Sequence, residues 1–442
     1  MTEFSTTPLE DLAYLSGGFA FKSKDYAETG RFILRTLNIS DDGAINKDQA
    51  VYLPLDLCNS YKRFELQEHD TIFVMVGATL GKIGWVKAQN LPALLNQNMW
   101  LIRPKPNLVD PRFLNYAFRV ASGKSLNWAS GSARAFLKRD DYRKLNIPNP
   151  SIVTQRAISN LLGALDDKIE NNLRINETLE EIARAIFKSW FVDFDPVHAK
   201  STGNSLAHMD TETASLFPSS FGNDGLPVGW NLLSLGDVTE KITKGTTPTK
   251  RDLNEAKSEP CTINFLKVNN ISDDGYFNQK SFEKIPFCVH NNQLKRSILK
   301  KDDVLYSIAG TIGRVVIIED NILPSNTNQA LAILRTKHEL CPSGYLSLIL
   351  KEDNFQKELH SNIVQAVQAN LSLSMISAQK FVFPPAEHIG KIFSTIENIL
   401  KMQMIKRAEN QTLTELRDNL LPKLMSGEIR VNDAESEVEG II

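Results

Sequence analysis

The sequence predicts an α+β protein: two similar mixed α/β domains separated by two long helices, which pair as an antiparallel coiled coil with pseudo-two-fold symmetry. Two observations predict it. The first is an internal repeat. Residues 33–46 read ILRTLNISDDGAIN and residues 265–278 read FLKVNNISDDGYFN, an offset of 232 that runs on without a gap. About 19 of 73 aligned positions are identical, where unrelated sequence would give roughly 4 or 5. The second is a change of hydrophobic period after each copy. A long internal period means two copies of one structural unit.

Each copy opens on an apolar stretch with a glycine turn: LEDLAYLSGGFAFKS (9–23) and LLSLGDVTEKITKGTTPTK (232–250). The shared NISDDG reads as strand into turn, with its glycine at a positive-φ position. The runs DTIFVMVGATLGKIGWV (70–86) and DDVLYSIAGTIGRVVII (302–318) are β-branched and aromatic, broken by glycines, hence strand–turn–strand. Thr79, Gly81, Leu91, Pro92, Asn96, Gln97 and Arg103 recur as Thr311, Gly313, Leu323, Pro324, Asn328, Gln329 and Arg335. Helical patterns follow in PRFLNYAFR (111–119) and PSGYLSLILK (342–351).

Beyond each copy the apolar positions step by 4 and 3, a heptad seam. The first seam is Ile158, Leu162, Leu165, Ile169, Asn172, Asn176, Leu179, Ala183, Ile186 and Trp190. The second is Ile392, Ile396, Ile399, Gln403, Lys406, Asn410, Leu413, Arg417, Leu420 and Leu424, with Met402, Met404 and Leu416 beside it. Each is long enough for a helix of about 55 Å. A lone helix with one apolar stripe needs a partner, so the two are expected to pair. The polar centre, Asn172, Asn176, Lys406 and Asn410, either sets the register or is a solvated stretch where the helices splay. The expected organisation is 1–152 first domain, 153–192 first long helix, 193–230 linker, 231–385 second domain, 386–427 second long helix, and 428–442 an acidic tail in which DAESEVE (433–439) is expected to be disordered.

The chain carries 50 Lys and Arg against 52 Asp and Glu, a net charge of −2. The distribution is uneven: residues 1–150 carry +4, residues 231–385 carry +2, and the rest carries −8. Positive charge on the repeated domains suits nucleic acid, and two similar modules suit a target with two parts. No apolar run reaches the roughly 18 residues of a membrane span, and MTEFSTTPLEDL lacks an apolar signal core. The expectation is a cytoplasmic protein, not attached to a membrane. Cys58, Cys261, Cys288 and Cys341 lack metal spacing and read as incidental thiols.

Linear catalytic motifs are missing. GATLGK (77–82) has three residues between its glycines where a phosphate loop has four, and Ile83 follows instead of Ser or Thr. The Asp-Pro of FVDFDPV lacks the second proline and aromatic that would grip a flipped base. The seven histidines form no zinc pattern.

KSWFVDFDPVHAK (188–200), SLFPSSFGNDGLPVGWNLLSLGDV (215–238) and LRDNLLPKLMSGEIRV (416–431) carry a family resemblance. With the two repeats they resemble the specificity (S) subunit of type I restriction-modification systems over essentially the whole chain. The resemblance implies two target-recognition domains that read double-stranded DNA in two half-sites around a fixed spacer. It implies no cofactor on this chain and no catalysis by it. Two modification subunits would carry S-adenosylmethionine and methylate adenine N6. Motor-nuclease subunits, with ATP and Mg, would cleave unmodified DNA. Two other classes stay open on the residues alone: an enzyme with its own chemistry, and a coiled-coil scaffold with two protein-binding modules.

Base edges and phosphates are reached by Arg, Lys, Asn, Gln, Ser and Thr on loops. In the second domain the candidates are Lys244, Thr246, Thr247, Thr249, Lys250 and Arg251 of KGTTPTKR, then Arg314, and Gln365, Gln368 and Asn370 of NIVQAVQANLS. In the first they are Lys22, Lys82, and Asn127, Ser132, Arg134, Lys138 and Arg139 of LNWASGSARAFLKR. The family often has a Gln–Asn pair in this last stretch, where the first domain has Arg134 and Phe136.

If the helices act as a ruler, one heptad sets roughly 10.5 Å, about three base pairs of 3.4 Å. Removing one matched heptad from both helices is expected to shorten the preferred spacer and leave both half-sites unchanged. Methylation confined to the original spacing would contradict this.

Overall fold

The computed structural model describes residues 4–440 apart from 41, 78, 130–138, 205, 207, 208, 273, 274 and 365–370; the side chains of 124–129, 139, 280 and 360–364 also lie outside the description. The chain divides into two compact units: residues 1–174 with 407–442, and residues 175–406. The first draws on distant parts of the sequence; the second is one unbroken stretch.

The two larger sheets of unit 1 are built from strands β1 (Ala13–Gly17), β2 (Arg31–Leu34), β3 (Tyr52–Leu53), β4 (Thr71–Val74), β5 (Ile83–Trp85), β6 (Ala93–Leu95) and β7 (Met99–Pro104). Helices α1 (Pro111–Ala129) and α2 (Ile152–Phe191) follow, the second passing into unit 2. Four strands form an antiparallel sheet in the order β1-β7-β4-β5. Three form a second sheet, β3-β2-β6, in which β2 and β6 run parallel. The apolar runs of β2, β4 and β6 are buried on both faces, so they read as continuous hydrophobic stretches.

Unit 2 repeats the plan. The strands of its two larger sheets are β8 (Thr239–Lys244), β9 (Cys261–Leu266), β10 (Glu283–Pro286), β11 (Val304–Ser307), β12 (Val315–Ile317), β13 (Ser325–Thr327) and β14 (Leu331–Thr336). The sheets are β8-β14-β11-β12 and β10-β9-β13, with β9 and β13 parallel. Helices α3 (Ser343–Lys351) and α4 (Ala386–Ser426) follow.

The NISDDG turns match in detail. Asn38 Oδ1 accepts the Arg35 N–H at 3.1 Å, and Asn270 Oδ1 accepts that of Lys267 at 2.6 Å. Gly43 and Gly275 have φ of 91° and 81°. A Cβ there would lie 2.3 Å from the Ile83 carbonyl or 2.4 Å from that of Val315, so only glycine lets the turn close on its neighbouring strand.

The repeat is not gapless. β4 pairs Val74 with Met99, and β11 pairs Ser307 with Leu331, so these strands correspond at an offset of 233. His69 and Asp302, both at positive φ, correspond likewise. One residue is gained near the helix Phe287–Asn291 and lost again in the turn before β12. Asp70 therefore corresponds to Asp303 rather than Asp302. Both carboxylates are fully buried, and each receives a bidentate guanidinium: Arg103 at 2.8 and 2.7 Å, Arg335 at 2.7 and 2.7 Å. Each carboxylate also caps the turn before its strand, accepting the N–H of Gln67 or Lys300.

The long helices pair antiparallel within each unit. In unit 1, Ile158, Leu162 and Leu165 share a core with Leu413, Leu416, Leu420 and Leu424. Arg417 meets Asp166 at 2.9 Å and Asn172 donates to Asn410 at 2.9 Å, so numbers rise along one helix as they fall along the other. In unit 2, Ala183, Phe187 and Trp190 share a core with Ile389, Ile392, Phe393 and Ile396. Gln403 donates to the Asn176 carbonyl at 3.0 Å and to Glu180 at 3.2 Å. The side chains of Asn172 and Asn410 in one unit and of Gln403 in the other thus bond across the pair. Beside the seam, Leu416 is buried while Met402 and Met404 face solvent. Pro422 lies in the last turns of α4.

Two other expectations change. The acidic tail is not disordered over its length: Val431–Glu439 is a helix, and Ala434 is fully buried beside Leu424 and Met425. In the stretch 193–230, Val197, Phe217 and Trp230 are buried in the core of unit 2.

Two measurements test these interactions. Asp303→Ala leaves the Arg335 guanidinium partly buried without its carboxylate, and should cost about 3–5 kcal/mol of stability in urea unfolding. An unchanged midpoint would mean that the pair contributes nothing. For Glu180, burial raises the pKa, but Lys351 at 2.9 Å, Arg184 and Gln403 outweigh it and hold the group at about 2, against an ordinary 4.5. Its contribution is complete above about pH 4.5 and is lost as pH falls toward 2. Glu180→Gln should flatten the acid limb of the stability–pH curve in that window; parallel curves for both proteins would refute the assignment.

Candidate nucleic-acid interface

Glycine starts the first candidate loop at the same place in both units. Gly18 donates to Met99 O at 3.2 Å and Phe19 to Leu95 O at 3.0 Å. Gly245 donates to Leu331 O at 3.1 Å and Thr246 to Thr327 O at 3.0 Å. A Cβ on Gly18 would sit 1.9 Å from Asn96 O, and one on Gly245 2.1 Å from Thr327 O. No other residue permits this approach. It knits each loop to the segment carrying Asn96 and Gln97, or Asn328 and Gln329, and both glutamines are exposed.

From this common origin the loops diverge. In unit 1, Phe19 and Phe21 turn inward onto Tyr61 and Phe64, with ring centroids 4.9–5.2 Å apart. Lys22 follows, exposed, at the start of the turn Ser23–Asp25. In unit 2 the loop is polar. Lys244, Thr246, Thr247, Lys250 and Arg251 are exposed, and the Thr247 hydroxyl bonds Gln329. Thr249 caps the helix Lys250–Glu255: its Oγ1 accepts from Asp252 N, and Asp252 accepts from Thr249 N at 2.8 Å. That backbone bond, with the Thr249 hydroxyl, lowers the Asp252 pKa. Thr249 is thus committed to shaping the loop. Arg251 pairs with Glu255 at 2.7 Å, yet its side chain is 86% exposed, and such surface pairs exchange readily for a stronger anion.

Lys82 and Arg314 stand where the matched turns place them, but their cationic ends point into the fold. Lys82 Nζ donates to Ile39 O at 3.2 Å. Arg314 donates to the matching Ile271 O at 2.5 Å and to Val268 O at 3.2 Å. Both are half-buried braces of the NISDDG turn. Beneath the same turn, Arg119 reaches Asp42 O at 3.2 Å, and burial lowers its pKa. Its counterpart Lys351 pairs with Glu180. A cleft of about 190 Å³ opens here in unit 1, lined by Trp85, Lys87, Arg112, Arg119, Glu170 and Arg417 among others. Much of its charge is matched internally, Arg112 with Asp167, Lys87 with Glu170 and Arg417 with Asp166, which makes it a polar joint between sheet and helices.

Ser132, Arg134, Lys138, Gln365, Gln368 and Asn370 lie outside the described residues, as do the side chains of Asn127 and Arg139. Two further pairs of basic residues match between the units. At the offset of 233, Lys62 and Arg63 correspond to Lys295 and Arg296, and all four are exposed. The signal was present in the sequence, but an alignment at 232 sets Lys62 against Leu294.

The family model for the type I restriction modification DNA specificity domain matches residues 1–181 and again 227–415. The HindI specificity subunit of Haemophilus influenzae is 29% identical over 390 residues, covering 76% of this chain and 81% of its own. The MjaIX specificity subunit of Methanocaldococcus jannaschii is 27% identical over 365 residues, covering 79% and 76%. In fold, the chain resembles the crystal structure of a type I restriction-modification S subunit from M. genitalium, with a TM-score of 0.55, 15% identity and 96% of each chain covered. With the domain model satisfied twice along one polypeptide, this protein belongs to the type I restriction-modification specificity subunits.

Proposed function

We propose that this chain reads a bipartite DNA target, one domain per half-site, and positions modification and motor-nuclease subunits that perform the chemistry. One observation carries the reading. Both units share one scaffold, down to matched strand registers, yet the loops that leave it at Gly18 and Gly245 differ in chemistry. A common frame with divergent loops is what two readers of different sequences require.

Lys22 in the first domain, and Lys244, Thr246, Thr247, Lys250 and Arg251 in the second, are the described residues with side chains on these loops. Asn127, Ser132, Arg134, Lys138, Arg139, Gln365, Gln368 and Asn370 complete the proposed surface. Lys82, Arg314 and Thr249 serve it indirectly, by holding turns and loops in shape. S-adenosylmethionine, ATP and Mg are assigned to the partner subunits, two of which carry the methyltransferase. Among the described residues no helix is long and apolar enough to cross a membrane, and the proposed setting is the cytoplasm.

Exchanging residues 1–150 for the corresponding domain of another specificity subunit tests the reading. Modification-sensitive sequencing should show one half-site replaced and the other retained. Altered bases in both halves would contradict independent reading, and an unaltered target would remove base recognition from this domain.

A further inference from the structure

We infer that Lys62 and Arg63 in unit 1, and Lys295 and Arg296 in unit 2, grip DNA phosphates at an equivalent place in each half-site, whatever its sequence. The inference rests on the DNA-reading function proposed above and adds a sequence-independent clamp to it.

The placement is the same in both units. Glu65 bridges Leu94, and Ile298 bridges Asn326. Leu66 donates to Ala93 O at 3.0 Å, and Leu299 to Ser325 O at 3.1 Å. Each basic pair therefore sits just before a residue pinned to the strand, β6 or β13, whose end carries the shared Asn-Gln. The turns are held firmly. In unit 1, Tyr61 and Phe64, on either side of the pair, pack on Phe19 of the candidate loop. In unit 2, Asn326 donates to Leu294 O at 3.0 Å, and Lys241, on the strand that leads to Gly245, donates to Arg296 O at 3.0 Å. Both pairs thus neighbour the loops that differ.

Identity between the copies needs a reason. Several shared residues have one in the fold: Asn38 and Asn270 cap turns, the buried Asp70 and Asp303 each hold a half-buried arginine, and Gly43 and Gly275 permit a close approach. The matched basic residues at 82 and 314 brace a carbonyl. Lys62, Arg63, Lys295 and Arg296 have no such role. Their side chains are exposed, and among the described residues none of them holds an ion pair. Residues that read bases must diverge between half-sites, whereas phosphate is the same in every sequence. Two adjacent cations kept at one position in both readers, beside the divergent loops, fit the invariant part of the ligand.

The test uses the full chain, with modification subunits where assembly requires them. Binding of a target duplex and of one with both half-sites scrambled is measured across a range of KCl concentrations. Lys62→Gln/Arg63→Gln and Lys295→Gln/Arg296→Gln should each weaken both duplexes by the same factor. Each should also lower the slope of log affinity against log salt by roughly 2, and the combined variant by roughly 4. Methylated sites should keep their sequence, and Lys62→Arg/Arg63→Lys should restore binding. An unchanged salt slope would overturn the inference, whether affinity is kept or is lost through failed subunit assembly. So would a loss confined to one base sequence. If the unaltered protein failed to prefer its target, the DNA-reading function itself would fall, which is a different result.

Discussion

Antiparallel pairing of the two long helices is the constraint on which the rest depends. The first unit is not a continuous piece of chain: residues 407–442 complete it, while the second runs unbroken from 175 to 406 and takes in the latter part of the first long helix. The bond from Asn172 to Asn410 joins positions 238 apart in sequence. Leu413, Leu416, Leu420 and Leu424 fill the core of the first unit from the far end of the polypeptide. In the second, Phe187, Trp190 and Phe191 of the first long helix pack with Trp230, Tyr345 and Phe393. Apolar residues supply the driving force. Asn172, Asn410 and Gln403 add partners that only one alignment satisfies, which is how polar groups in a seam specify register.

The sheets hang on this base through buried polar joints. Arg119 and Lys351 occupy the same place under the two acidic turns and solve one problem differently. Arg119 bonds turn and strand carbonyls and is destabilised in its charged form by burial, while Lys351 finds Glu180 on the long helix. Above, the Asp70–Arg103 and Asp303–Arg335 pairs lock the central strands. Rigid frames of this kind let the loops vary without loss of fold, so one unit's loops can change while the scaffold stays the same.

Much of the architecture was legible in the residues. Repeated asparagines and glycines survive where a turn tolerates nothing else, so NISDDG announced the duplicated domain. A 4–3 spacing announced the helices, because a buried stripe has to recur on one face. The site was legible only in outline. The loops near Gly18 and Gly245 could be placed as matched features of the two copies, but Lys82 and Arg314 looked like exposed cations and are braces, since sequence carries no sign of which way a long side chain turns. Thr249 looked like a base contact and is a helix cap. Lys62 and Arg63 were missed because a gained residue and a lost one cancel over the whole repeat and hide the true register between them.

What the sequence determined by itself, then, is local and periodic: two copies, their turns, two amphipathic helices, and a family membership carried by the connectors. These follow from backbone sterics and hydrophobic spacing, which act over a few residues. What only the tertiary structure decided is pairing: that Asp70 answers to Asp303, that residues 407–442 belong with the first domain, and which cations are consumed inside. Those outcomes depend on hydrogen bonds and contacts between residues hundreds of positions apart, and no local pattern in the chain encodes them.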